Sequence, residues 1–217
     1  MIQRPGREEE LVRLERTKVF VSYCMAMDSV LACYEDQELI RLTGSELVSA
    51  VGEALERACG VDDEDFDAMI PLSFYGTHKQ SMGVRKYVLR LYEYLDCSDV
   101  AFTTALIYLD RIQASNKNNR LTPLNLHRLF ATAVLVAIKY HDDEHFSNEY
   151  YAQVFGMKGL EEINQLEALF LSMVDFRVGV SEKEYYFYKM HLIQSQMEIP
   201  THTSIEFCTS PVACSAA

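Results

Sequence analysis

Turn-forming residues are scarce in this chain of 217 residues, which has nine glycines and five prolines, roughly half the share an average protein carries. Hairpin-rich β architectures spend such residues at every reversal, so their scarcity leaves long helices as the natural reading. Long apolar runs are missing too. The longest stretch without a polar residue, Ala133 to Ile138, falls far short of the ~20 residues of a membrane span, and no membrane partner is expected. The opening MIQRPGREEE has no apolar segment of the kind a secretory signal needs, so the chain is expected inside the cell, in cytoplasm and/or nucleus. Basic charge is also in deficit: 20 Lys and Arg face 32 Asp and Glu, a net charge of −12. Wrapping a nucleic-acid backbone requires clustered cations to displace counterions, so no nucleic-acid partner is expected. None of the six cysteines forms a CxxC pair, and no histidine stands at zinc-finger spacing from them, which suits free thiols in a reducing compartment. The chain also lacks GxSxG, Walker and GxGxxG signatures, so no cofactor and no small-molecule substrate is expected.

What remains is 49% hydrophobic and 24% charged, a composition that supports a packed globular domain. Its acidity is uneven. Residues 1–70 carry 7 basic and 16 acidic side chains, whereas residues 71–180 carry 11 and 12. The second section is nearly neutral, as a protein-binding module can be.

Apolar spacing predicts a helix over 17–35 and a second from Thr43 toward Cys59, where Thr43-Gly44-Ser45-Glu46 has capping-box form. The acidic stretch Asp62 to Asp65 reads as a solvated linker, with a boundary near Pro71. Further helices are expected at about 82–95, from Ser98 to Ile112, from Pro123 to about His141, over 148–155, over 159–174, and from Ser181 to before Pro200. Thr122-Pro123 reads as an N-cap followed by a proline at the first helical position. The helix over 123–141 is apolar nearly all round, which marks a central helix sheathed by its neighbours. The expected fold is therefore an all-α bundle.

Two charges stand out of place in that bundle. Glu167 falls on the apolar stripe Ile163, Phe170 and Val174, and Lys139 ends the apolar run of the central helix. Burying either alone is expensive, and breaking a buried pair costs ~3–5 kcal/mol. Three arrangements answer that cost: the two pair inside the fold, they reach out to solvent, or they lie at the floor of an interface and hold a partner's backbone.

The segments IYLDRI (Ile107–Ile112), LHRLFATAVLVAIKYHDD (Leu126–Asp143), NEYYAQVFGM (Asn148–Met157) and INQLEALFLSMVDFRVGV (Ile163–Val180) together resemble a cyclin box. The pattern is most similar to the P/U-type branch, in YVLRL (Tyr87–Leu91), Cys97-Ser98, Asn125 to Arg128 and the Lys139–Asp143 turn. The resemblance implies a single five-helix box over 71–180 with flanking N- and C-terminal helices. In this reading 1–70 is an acidic helical extension with an insertion at about 38–65, 181–199 is a C-terminal helix, and 200–217 is a disordered tail. It also implies a non-enzymatic partner of a cyclin-dependent protein kinase, bound at the segment before the kinase's PSTAIRE-type helix. The kinase-binding positions then fall on Lys139, Glu167, Tyr140, Leu171, Phe176 and Val178. A scaffold that uses the box without activating a kinase is the alternative.

Departures from the cell-cycle members are visible. Their Met-Arg-Ala-Ile-Leu substrate-docking patch is replaced by Gln80-Ser81-Met82-Gly83-Val84, without the arginine. That arginine's usual internal partner corresponds to Asp110, which would have to pair with Arg85, Arg90 or Arg111; a structural Arg90–Asp110 bridge is expected. His141-Asp142-Asp143-Glu144-His145 superficially resembles a zinc-hydrolase helix, but Asp142 stands where the catalytic Glu belongs and the segment closes a helix, so no metal is expected.

Overall fold

The computed structural model describes residues 42–59, 70–116 and 118–197. The expected helix over 17–35, the acidic stretch 62–65 and the tail 200–217 lie outside the described residues. Among the described residues there are seven α-helices, one short 3-10 turn at Leu72–Phe74, and no strand. The helices are α1 (Gly44–Ala58), α2 (Val84–Leu95), α3 (Asp99–Ser115), α4 (Leu126–His141), α5 (Asn148–Phe155), α6 (Leu160–Met173) and α7 (Glu182–Met197).

α4 is the axis of the bundle. Leu126 and every residue from Leu129 to Ile138 are buried, because α2, α3, α5, α6 and the 3-10 turn all pack on it. α1 lies along α2 and α3, and α7 closes over α1 and α3 on the far side. Three of the buried α4 side chains are alanines, at 131, 133 and 137, and small side chains let neighbouring backbones approach closely.

Two helix starts differ from their sequence reading. α4 begins at Leu126, three residues after Pro123, because Thr122 to Asn125 forms a turn of its own. Asn125 locks that turn: its Oδ1 accepts the Thr122 N–H at 2.9 Å and its Nδ2 donates to Arg120 O at 3.0 Å. At α1 the Thr43 side chain makes no capping bond. Gly44, at φ +58°, a conformation glycine adopts without a Cβ clash, turns its N–H onto Asp99 Oδ2 at 2.7 Å. The cap of α1 thus comes from the first turn of α3.

The expected boundary near Pro71 is not how the core is divided. Leu47, Val48, Val51 and Leu55 of α1, together with Ile70 and Phe74, are fully buried in the same apolar cluster as α2, α3 and α4. Burying the four α1 side chains supplies roughly 6–12 kcal/mol of hydrophobic driving force, an upper bound for an extended reference chain.

Candidate functional site

Lys139 stands in the last turn of α4 and Glu167 at the middle of α6, and the packing of these helices brings the two heads together. Lys139 Nζ donates to Glu167 Oε1 at 2.7 Å and to Oε2 at 2.8 Å. Asn148, the first residue of α5, donates through Nδ2 to the same Oε2 at 2.9 Å and to Asn164 Oδ1 at 2.7 Å. Of the three arrangements open to these charges, the free chain adopts the pair. The pair is not deep, however: the Lys139 and Glu167 side chains keep 27% and 18% of their surface exposed.

Around this pair the chain presents large apolar groups. Tyr140, the next residue on α4, is 54% exposed and Phe176, just past α6, is 70% exposed. Leu171 and Val178 lean partly buried on the core beside them. The turn that carries Phe176 closes α6 with two bonds, from Asp175 N–H to Ser172 O at 3.1 Å and from Phe176 N–H to Leu171 O at 2.9 Å. This is a Schellman arrangement, but Asp175 occupies its left-handed position at φ +54° and Phe176 follows at φ +55°. Downstream, an ideal Cβ at Gly179 would stand 3.4 Å from the Tyr140 hydroxyl, so the segment after Phe176 folds back against Tyr140. Lys139 thus meets Glu167, Leu171 stands one turn beyond Glu167 on α6, and Tyr140 meets the segment after Phe176 that carries Val178; the six sequence-predicted contact residues lie on α4, α6 and the turn that follows α6.

The expected Arg90–Asp110 bridge does not form. Asp110 accepts the Tyr188 hydroxyl at 2.7 Å, from α7. Arg90 points toward α5, where Nη1 donates to Val154 O at 3.0 Å, and its guanidinium lies 5.6 Å from the Tyr94 ring centroid. The other two candidate arginines are also engaged elsewhere, Arg85 with Glu53 and Arg111 with Glu184. Gln80 to Gly83 precede α2 rather than lying on it. The start of α2 is covered by Glu56, whose Oε1 accepts the Arg85 N–H at 3.1 Å. His145 lies beyond the end of α4, so it shares no helical face with His141, and among the described residues no three His, Cys, Asp or Glu groups gather as metal ligands do.

Comparison with known proteins decides the family. The family model described as Cyclin matches residues 37–178, well over half of the chain. The chain belongs to the cyclin family. Its curated relatives include cyclins named as U and P types. Cyclin-U1-1 of Arabidopsis thaliana is 35% identical over 127 residues, 58% of this chain and 60% of the relative. Cyclin-U4-3 of the same plant is 37% identical over 135 residues, 62% of this chain and 61% of the relative. PHO85 cyclin-7 of Saccharomyces cerevisiae is 31% identical over 170 residues, 71% of this chain and 59% of the relative. The chain spans about three fifths of the length of these three relatives.

The cyclin match begins before α1, so this helix lies inside the family region, in keeping with its burial in the common core. Several motifs of this cyclin now have a physical reason. Ser98 donates through its N–H and Oγ to Asp142, at 3.1 and 2.5 Å, so the CS and DD motifs are two sides of one tie between α3 and α4. The pKa of the adjacent Cys97 thiol is pushed up to about 12 by burial, with Asp142, Asp96 and Asp99 adding to the effect, which disfavours the nucleophilic thiolate. In the Asn125–Arg128 motif, His127 Nε2 bonds Met82 O at 2.9 Å, and Arg128 reaches both Ser73 O, at 3.0 Å, and the Glu162 carboxylate. Burial, the largest influence on the His127 imidazole, keeps its pKa below the ordinary value. Sequence reasoning missed Asn148, Tyr108, Arg111 and Asp142 as supports. Each acts through a contact at least 19 residues away in the chain, beyond the reach of helical periodicity.

Proposed function

We propose that this cyclin is a regulatory subunit that binds a cyclin-dependent protein kinase and activates it by docking on its PSTAIRE-type αC helix. The observation that supports the reading is the half-sheltered Lys139–Glu167 pair, with exposed Tyr140 next to Lys139 in the chain and exposed Phe176 just past the end of α6. An ion pair kept at the surface among large apolar side chains has little to offer stability. It has much to offer as a clamp, because its remaining donor and acceptor positions can hold a partner's backbone once the aromatic rim excludes water.

In this mechanism Lys139 donates to kinase carbonyls and Glu167 accepts from kinase N–H groups, while Leu171, Phe176 and Val178 fill the apolar centre and Tyr140 closes the edge. Kinase activity needs its β3 Lys paired with the Glu of its αC helix. A subunit that binds the inward position of that helix more tightly shifts the kinase toward it by the difference in affinity. The chain itself contributes no catalytic group, and its work is set in cytoplasm and/or nucleus.

One relative is named as a cyclin of PHO85, which makes PHO85 the kinase to try first. Co-expression followed by affinity capture and a phosphorylation assay with and without this chain tests the proposal. The expected result is co-elution and a rise in kinase activity. Co-elution without a rise identifies an adaptor, and absence of co-elution contradicts docking on PHO85.

A further inference from the structure

Three consecutive carbonyls in the segment after Phe176 are held by two side chains of α3. The Tyr108 hydroxyl donates to Val178 O at 2.6 Å. Arg111 donates through Nη1 to Arg177 O at 2.5 Å and through Nη2 to Gly179 O at 3.0 Å. The same Nη2 meets Glu184 Oε2 of α7 at 2.7 Å. Tyr108 and Arg111 are three residues apart, so they stand side by side on one face of the helix, and the guanidinium lies 5.9 Å from the tyrosine ring centroid.

The segment 177–180 belongs to no helix or sheet, so its carbonyls need partners from elsewhere. α3 supplies them in a row. What the row fixes is the exit of the turn carrying Phe176. Two successive non-glycine residues in the left-handed region, the second a largely exposed aromatic, form a conformation that a free chain seldom holds. Such an arrangement persists where the surroundings over-determine it. Here the Schellman bonds fix the entry and the α3 bonds fix the exit.

We propose that Tyr108 and Arg111 are positioning residues of the docking face: by gripping the carbonyls of 177–179 they aim Phe176 at the kinase. Tyr108 is fully buried and acts only through the segment it holds. Arg111 anchors that segment to α7 through Glu184 as well. The inference rests on the docking proposed above. It adds that affinity depends on how well ordered the segment is before the kinase arrives, since ordering done in advance is not charged to binding.

The test uses Tyr108→Phe, which removes one hydroxyl and keeps the ring, and Arg111→Ala, each in the wild-type and Phe176→Ala backgrounds. Amide hydrogen exchange over 175–180 reads the order of the segment, and titration against purified PHO85 reads affinity. Exchange is expected to quicken in both variants, and PHO85 affinity to fall about tenfold with Arg111→Ala, the range of a charge-assisted hydrogen bond. In the Phe176→Ala background the same substitutions are expected to change affinity less than about twofold, since the side chain they aim is gone. Unchanged exchange overturns the inference, as does an equal affinity loss in both backgrounds. If the wild-type chain does not bind PHO85 while exchange quickens as stated, docking on that kinase fails and the positioning role for it falls with it. Native affinity with a loosened segment overturns the positioning role alone.

Discussion

Asp175 and Phe176 show how a few backbone angles shape the proposed docking face. A Cβ in the left-handed region crowds the following carbonyl and costs roughly 1–2 kcal/mol, and glycine is the usual residue at the Asp175 position of this motif. Asp175→Gly should therefore raise stability by about 1 kcal/mol, read as a higher urea midpoint at unchanged slope. A lower midpoint would mean that the aspartate makes an interaction outweighing the strain. Glu162 carries a second residue-scale prediction. Burial pushes its carboxyl up, but the Arg128 guanidinium and the Lys158 N–H together outweigh that and hold it below the ordinary value of 4.5. A carboxylate depressed in the folded state stabilises the fold above its unfolded pKa and loses that contribution as pH falls through the folded one. Melting temperatures of wild type and Glu162→Gln should accordingly differ at neutral pH and converge as the solution is acidified below 4.5. A gap that persists unchanged in acid would assign the effect to something other than ionisation.

At the scale of elements, helix identity was legible and helix termini were not. The expected 148–155 helix coincides with α5, and α2, α6 and α7 end within two or three residues of their expected limits. Periodicity reports which face is apolar, and that pattern survives packing. Terminal signals compete with whatever the tertiary structure brings near, and here tertiary partners prevailed. Asn125, rather than Thr122, takes the N-cap position of α4, and it makes no side-chain bond to the helix because its amide closes the preceding turn from both sides. Asp99 caps α1 across a gap of 55 residues. Asp99→Ala should cost about 1–2 kcal/mol in chemical denaturation, and Thr43→Ala only a few tenths. The reverse order would restore the local capping box. The Arg90–Asp110 bridge failed for a related reason. The resemblance supplied the aspartate, but Asp110 faces α7 and Arg90 faces α5, a separation that only the assembled bundle reveals.

At the scale of the whole molecule, the sequence suggested an acidic extension joined to a box, whereas the apolar cluster runs without a break from α1 through α6. The misleading signal was charge. On α1 itself Glu46 and Glu56 are exposed, while Leu47, Val48, Val51 and Leu55 are buried. Lys139 and Glu167 were singled out from sequence because each interrupts an apolar stripe, and their meeting at the surface ties the fold to the proposed function. A partly exposed pair of this kind contributes about 0–1 kcal/mol to stability by the usual range for surface pairs, so its strongest reading is as a clamp. Exchanging the two charges, with Lys139→Glu and Glu167→Lys in one chain, separates the two roles. The swapped pair can still satisfy itself within the bundle but offers an anion where the partner needs a cation, and the reverse. Circular dichroism and melting temperature are predicted to stay near wild type while PHO85 capture is lost. Native PHO85 binding by the swapped chain would contradict the clamp.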